Sequence, residues 1–141
     1  MRNDECGIDP SLCVGWGCYA IMSNDGRPDR RMIKIGISSN VSKRLIALRT
    51  NNPYRVVVLR WVEAESKSAA RQIEMDTHDH WLWKPFRVSG EWFDMPRGQI
   101  MFALEAIDAM ADPLLGRSWP LPPGIRVVVE AGNRITQEVR A

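Results

Sequence analysis

From Trp16 onward the chain alternates in a way that predicts a strand. In Trp16-Gly17-Cys18-Tyr19-Ala20-Ile21-Met22, period two sends Tyr19 and Ile21 to one side and Cys18, Ala20 and Met22 to the other. Ser23 to Arg31 is dense in turn formers and reverses the chain into a second strand, where Met32, Ile33, Ile35 and Ile37 are apolar. The period changes after Asn40. Val41, Leu45 and Leu48 recur at helical spacing as far as Thr50, and Ser38, Ser39 and Asn40 offer oxygens to the first free amides of that helix. Asn51 to Tyr54 makes a turn, and Val56 to Trp61 is so evenly apolar and β-branched that it predicts the central strand.

A second helix starts near Ser66, carries Ala69, Ala70, Ile73, Thr77 and Trp81 on its stripe, and ends before Pro85. Residues 86 to 95 read as a compact turn around Gly90 backed by aromatics. A third helix follows Pro96, with Ile100, Ala103, Leu104, Ile107 and Ala111 as its apolar face. Residues 1 to 15 read as a loosely held lead-in. Four prolines between 113 and 124 end regular structure, and Ile125 to Glu130 is left as either an edge strand or a surface for a partner. The pattern predicts an α+β fold, a small, mainly antiparallel three-stranded sheet flanked by helices, with one domain over 16–112 and a proline-rich segment over 113–141.

Length and composition narrow the class. A chain of 141 residues can bury a core without disulfides. No apolar run approaches membrane-spanning length, and the first residues contain no signal-peptide core, which predicts a cytoplasmic protein. Cys6, Cys13 and Cys18 are odd in number and form no C-x-x-C pair, as expected of reduced thiols. The net charge of +2 is unevenly spread. Between residues 27 and 60 nine cations stand against Asp29 alone, whereas 61–112 holds ten acidic residues and five basic ones. The basic segment predicts a polyanion partner, with Arg31, Lys43, Arg44 and Arg49 as nucleic-acid contacts.

Two places carry candidate chemistry. Arg44 sits beside the first helix's apolar stripe, where its guanidinium can be held near Lys34, and two adjacent cations call for an anion between them. A phosphate is the natural candidate. Glu74 lies beside Ile73, and a carboxylate near a helix's buried side must be paired, protonated or metal-bound. His78 follows one turn later. Its structural reading competes with a catalytic one.

Gly17-Cys18-Tyr19, Lys34-Ile35-Gly36, Arg44 and Glu74, in that order and on those elements, resemble the GIY-YIG nuclease superfamily. Lys34-Ile35-Gly36-Ile37-Ser38, Arg44-Leu45, Glu74 with His78, and Gly90-Glu91-Trp92-Phe93 look more closely like the branch found in phage and meiotically up-regulated proteins, often described as DNA-binding. The resemblance covers about residues 16 to 95. It implies an endonuclease using one divalent metal, Mg2+ or Mn2+, on nucleic acid, with DNA the expected substrate. By the same resemblance Tyr19 assists removal of a water proton, Arg44 stabilises the phosphate and Glu74 holds the metal, with His78 joining the catalytic set. Lys34 stands where the family name expects a second tyrosine, a place from which it can orient water or neutralise a phosphate oxygen. The long hairpin from Asn24 to Arg31 is a further candidate substrate contact, while Glu91 and Trp92 shape the turn. Two other classes stay open: a DNA-binding module on the same fold that does not cut, and a protein-interaction or homo-oligomeric domain acting through its C-terminal segment.

Overall fold

The computed structural model describes residues 7–50 and 52–110, together with strand segments 116–119, 125–129 and 135–139. Strands β1 (Gly17–Asn24), β2 (Arg30–Ser38), β3 (Arg55–Ala64), β4 (Arg87–Ser89), β5 (Trp92–Pro96) and β6 (Gly116–Trp119) form one antiparallel sheet in the order β4-β5-β2-β1-β3-β6. Helices α1 (Val41–Thr50), α2 (Lys67–Asp79) and α3 (Ile100–Met110) cover its two faces.

The α+β class stands, but the three expected strands are half of the sheet. Gly90, at φ +54, turns the chain between β4 and β5, so the expected aromatic turn is a hairpin that pairs onto β2. On the other side β6 pairs with β3 inside the proline-rich stretch, at Gly116-Arg117-Ser118-Trp119, a window between prolines. The central position belongs to β1, between β2 and β3. The apolar run of β3 is explained by burial on both faces, which an inner strand shares with a central one. Ile125 to Val129 is β7 and does not join this sheet. It pairs with β8 (Ile135–Val139) in a separate two-stranded ribbon. The remainder of 111–134 lies outside the described residues.

Alternation along β1 divides the core as the sequence predicts. Tyr19 and Ile21 meet Val41 and Leu45 of α1 with Val56, Val58 and Trp61 of β3. Cys18, Ala20 and Met22 join Ile33, Ile35, Ile73, Phe93 and the apolar stripe of α3 in the larger core. A side chain at Gly17 would collide with the Trp61 ring and the Val62 carbonyl, so the glycine lets β3 lie close. Within the larger core, Arg60 of β3 donates to Asp108 of α3 at 3.2 and 3.3 Å. This buried pair fixes the helix to the sheet, and breaking it by removing one partner costs about 3–5 kcal/mol.

Local signals explain the helix ends. Asn40 Oδ1 accepts from the Lys43 amide at 3.0 Å, and Ser38 Oγ from the Asn40 amide at 2.8 Å. Ser66 caps α2 by accepting from Ala69 N at 3.1 Å. The far end of α2 differs from expectation: His80 is already extended, so Trp81 falls off the helical stripe and is 74 % exposed. The lead-in is also better held than its composition suggests, since Ile8 N–H donates to Val58 O at 2.6 Å and Cys13 is buried against the α1 face. Burial raises the thiols of Cys13, to about 12, and Cys18, which keeps both protonated; Cys6 lies outside the described residues. Among the described residues, no helix is long and apolar enough to cross a membrane.

Candidate active site

The site begins with a missing side chain. Tyr19 and Gly36 are cross-strand partners, and a Cβ on Gly36 would run into the Tyr19 hydroxyl and come within 3.1 Å of Glu91 Oε1. The glycine therefore makes room for a phenol and a carboxylate in one place. Tyr19 is 1 % exposed, and burial, then the Glu91 charge, push its phenol upward against the pull of Arg44. It stays protonated at neutral pH and is therefore able to donate.

Pairing between β2 and β5 stops at Lys34 and Trp92, with one more bond from Ile35 N–H to Glu91 O at 2.9 Å. Past that point no strand among the described residues lies beside the outer edge of β2. Here Glu91 meets Lys34, whose Nζ lies 2.9 Å from Oε2, and also hydrogen-bonds the carboxyl of Glu74 from α2. Two carboxylates this close cannot both ionise at ease. Burial, then Glu91, raise the Glu74 carboxyl to about 7, while Lys34 and Glu74's own donated hydrogen bond hold Glu91 low against its burial. The pair keeps one proton near neutrality, carried mainly by Glu74.

The anion beside Lys34 in this structure is thus Glu91, a residue expected only to shape the turn. Its place directly after Gly90 was the one sequence signal; the register that opposes Trp92 to Lys34 is set only by the fold. Trp92 packs its ring under the Lys34 ammonium, 5.4 Å from the centroid.

The remaining predicted residues separate into two groups. Arg44 and Lys43 are exposed and line a hollow of about 430 Å3 with Ser38, Ser39 and Asn40. Arg44 is close enough to influence Tyr19. Arg49 instead donates to Val56 O at 2.8 and 3.2 Å and ties α1 to β3. Arg31, expected at a nucleic-acid surface, is 3 % exposed and donates to the carbonyls of Arg27 and Arg30. The Asn24–Arg31 hairpin, expected to reach substrate, sits at the opposite end of β2 from Gly36, where Arg27 and Arg30 are paired with Asp94. His78 places Nε2 3.2 Å from Ile35 O and its ring edge-on to Phe93 at 5.2 Å. A carbonyl only accepts, so Nε2 carries the hydrogen, and the contact fastens α2 to β2.

Among the described residues no three His, Cys, Asp or Glu side chains assemble into a ready-made metal cluster. The carboxyl pair still fits a hard divalent ion. Glu74 is raised to about 7, so such an ion would compete there with a proton, and magnesium commonly takes one or two carboxylates and completes its shell with water and phosphate oxygens. A family model described as the T5orf172 domain matches residues 17–110. No curated protein and no solved structure matches the chain.

Proposed function

The chain belongs to the T5orf172 domain family, and from that membership together with the site's geometry we propose a GIY-YIG-type endonuclease that hydrolyses a phosphodiester bond, in DNA by preference, with one divalent cation. The observation that carries this reading is the meeting of Glu74, Glu91, Lys34 and Tyr19 around Gly36, with Arg44 alongside. Such a mixture of carboxylates and fixed donors suits a group that is itself an anion and that reacts through water.

On this reading Arg44 and Lys43 receive the phosphate in the hollow at the start of α1, where a guanidinium can give paired donors. Lys34, steadied by Glu91 and Trp92, holds positive charge at the place where charge grows during the reaction. The protonated Tyr19 orients water or a phosphate oxygen by donating to it. Glu91, ionised and facing Gly36, is the acceptor for the water's proton. Glu74, with Glu91 beside it, would hold the magnesium or manganese ion, which when bound supplies charge to the phosphate oxygens.

A second reading rests on its own observation. Lys34 is engaged by Glu91 and Tyr19 is buried, as in a nucleic-acid binding module that holds phosphate without cutting. One experiment decides between them: incubation with plasmid and with linear DNA in magnesium or manganese, alongside Glu74→Gln. New ends that vanish in the variant and in chelator support the endonuclease. Chelator-insensitive, salt-dependent binding without new ends supports the module.

A further inference from the structure

Four side chains of α2, Lys67, Arg71, Glu74 and His78, fall at i, i+4, i+7 and i+11 and so share one stripe. The first half of that stripe is basic, although the surrounding sequence is acidic overall. Arg71 is near enough to draw the Glu74 carboxyl down against burial. The Lys67 ammonium lies over the indole of Trp16, 5.4 Å from the ring centroid. Trp16 is fixed through its backbone, its carbonyl accepting from Ala64 N–H at 2.9 Å. Its ring is half-buried, whereas Lys67 and Arg71 are exposed.

Resting on the nucleic-acid reading above, we propose that Trp16, Lys67 and Arg71 form a second substrate contact, a subsite for an unpaired nucleotide beside the carboxyl pair. Lys67 is exposed, so the indole face beneath its ammonium is uncovered once the lysine swings away. A lysine on a flexible stem can move to a phosphate and leave that face to a base. Bases inside a duplex are stacked on one another and offer no face to a side chain, so only an unpaired nucleotide uses such a ring. Seven residues separate Lys67 from Glu74, roughly 10 Å along the helix, which puts the subsite and the reacting phosphate on neighbouring parts of one strand. The hollow lined by Lys43 and Arg44 lies at α1, on the other face of the sheet. A strand held at both places crosses the carboxyl pair between them.

Binding measured in EDTA by fluorescence anisotropy separates this contact from cleavage. A labelled single-stranded oligonucleotide and its duplex are each titrated with the full chain at several salt concentrations. The single strand should bind more tightly. Trp16→Ala should weaken it roughly five- to a hundredfold, with Trp16→Phe retaining most of the affinity. Lys67→Ala combined with Arg71→Ala changes only exposed side chains and should lower the salt slope by about 1.4, for two phosphate contacts on a single strand. Tighter binding of the duplex, or parental affinity and slope in the double variant, overturns the subsite and leaves the nucleic-acid reading in place. Failure of the parent chain to bind either oligonucleotide overturns both.

Discussion

The two ends of β2 carry similar residue types and put them to different ends. At its start, Arg30 Nε lies 3.0 Å from Asp94 Oδ1, Arg27 NH1 lies 3.1 Å from Oδ2, and Arg27 Nε lies 2.7 Å from Asp25. Two arginines face two aspartates, and the arginine hydrogen bonds hold both carboxyls below the ordinary carboxylate range. Four residues along, Lys34 pairs with Glu91, and Glu74, which Arg71 and Lys34 offset only in part, keeps a proton up to about 7. A balanced network ties a hairpin to β5. An unbalanced one has something left to bind, either a proton or a cation. On the endonuclease reading, the Gly36 end is the one left with the capacity to bind a metal.

The sharpest break in that comparison is Glu74→Gln, which keeps the shape and removes the surplus charge. On the endonuclease reading cleavage at saturating DNA and magnesium should fall by at least roughly a hundredfold, about 2.7 kcal/mol of transition-state stabilisation, with DNA binding retained. Cleavage at the parental rate would remove Glu74 from the site. Lys34→Met comes next. It leaves Glu91 without its paired cation, and the saturated rate should drop at least about tenfold, or about 1.4 kcal/mol. Single-turnover rates at saturation keep weaker binding from passing as slower chemistry. An unchanged rate would make Lys34 a structural partner of Glu91, like the arginines at the other end.

The same contrast explains what could be read from the chain alone. Alternation from Trp16 to Met22 placed Tyr19 opposite Cys18's face, because a strand's period is fixed by backbone geometry. Val41 and Leu45 marked the helix for the same reason. Short strands failed to announce themselves: β4 has three residues, and β6 has four lying between prolines, too few for periodicity to appear. Charge was harder still. Arg31 and Arg49 look identical to Arg44 in a sequence, yet one is buried on its own hairpin's carbonyls and another bonds Val56. Which cation is spent depends on register, as does the pairing of Glu91 with Lys34 across the β2–β5 ladder.

A milder perturbation acts at the balanced end. Asp94→Asn should leave the saturated cleavage rate where it is, since Asp94 sits on the hairpin side of β5. Its ion pairs are partly solvent-exposed, so after screening the loss of stability is about 0.5–1 kcal/mol, seen as a lower urea midpoint with unchanged slope. A large fall in rate with little loss of stability would mean that the two ends of β2 are coupled.

The smallest expected effect is a pH dependence of stability that belongs to the unbalanced end. In chelator, native Glu74 holds its proton up to about 7, whereas the unfolded chain releases it near the ordinary 4.5. Between those values the native state binds more protons than the unfolded state, so stability falls as pH rises from about 4.5 to 7. Glu91, held low by Lys34 and by Glu74, works in the other direction, but only below its ordinary 4.5. Glu74 is partly exposed, which keeps the decline modest. Thermal melts across this range should show it in the parent and not in Glu74→Gln. Magnesium should reverse it, because an ion that binds only the deprotonated pair stabilises the native state more as pH rises. Parallel profiles for parent and variant would mean that the shared proton does not exist, and with it would go the claim that this end of the strand is short of positive charge.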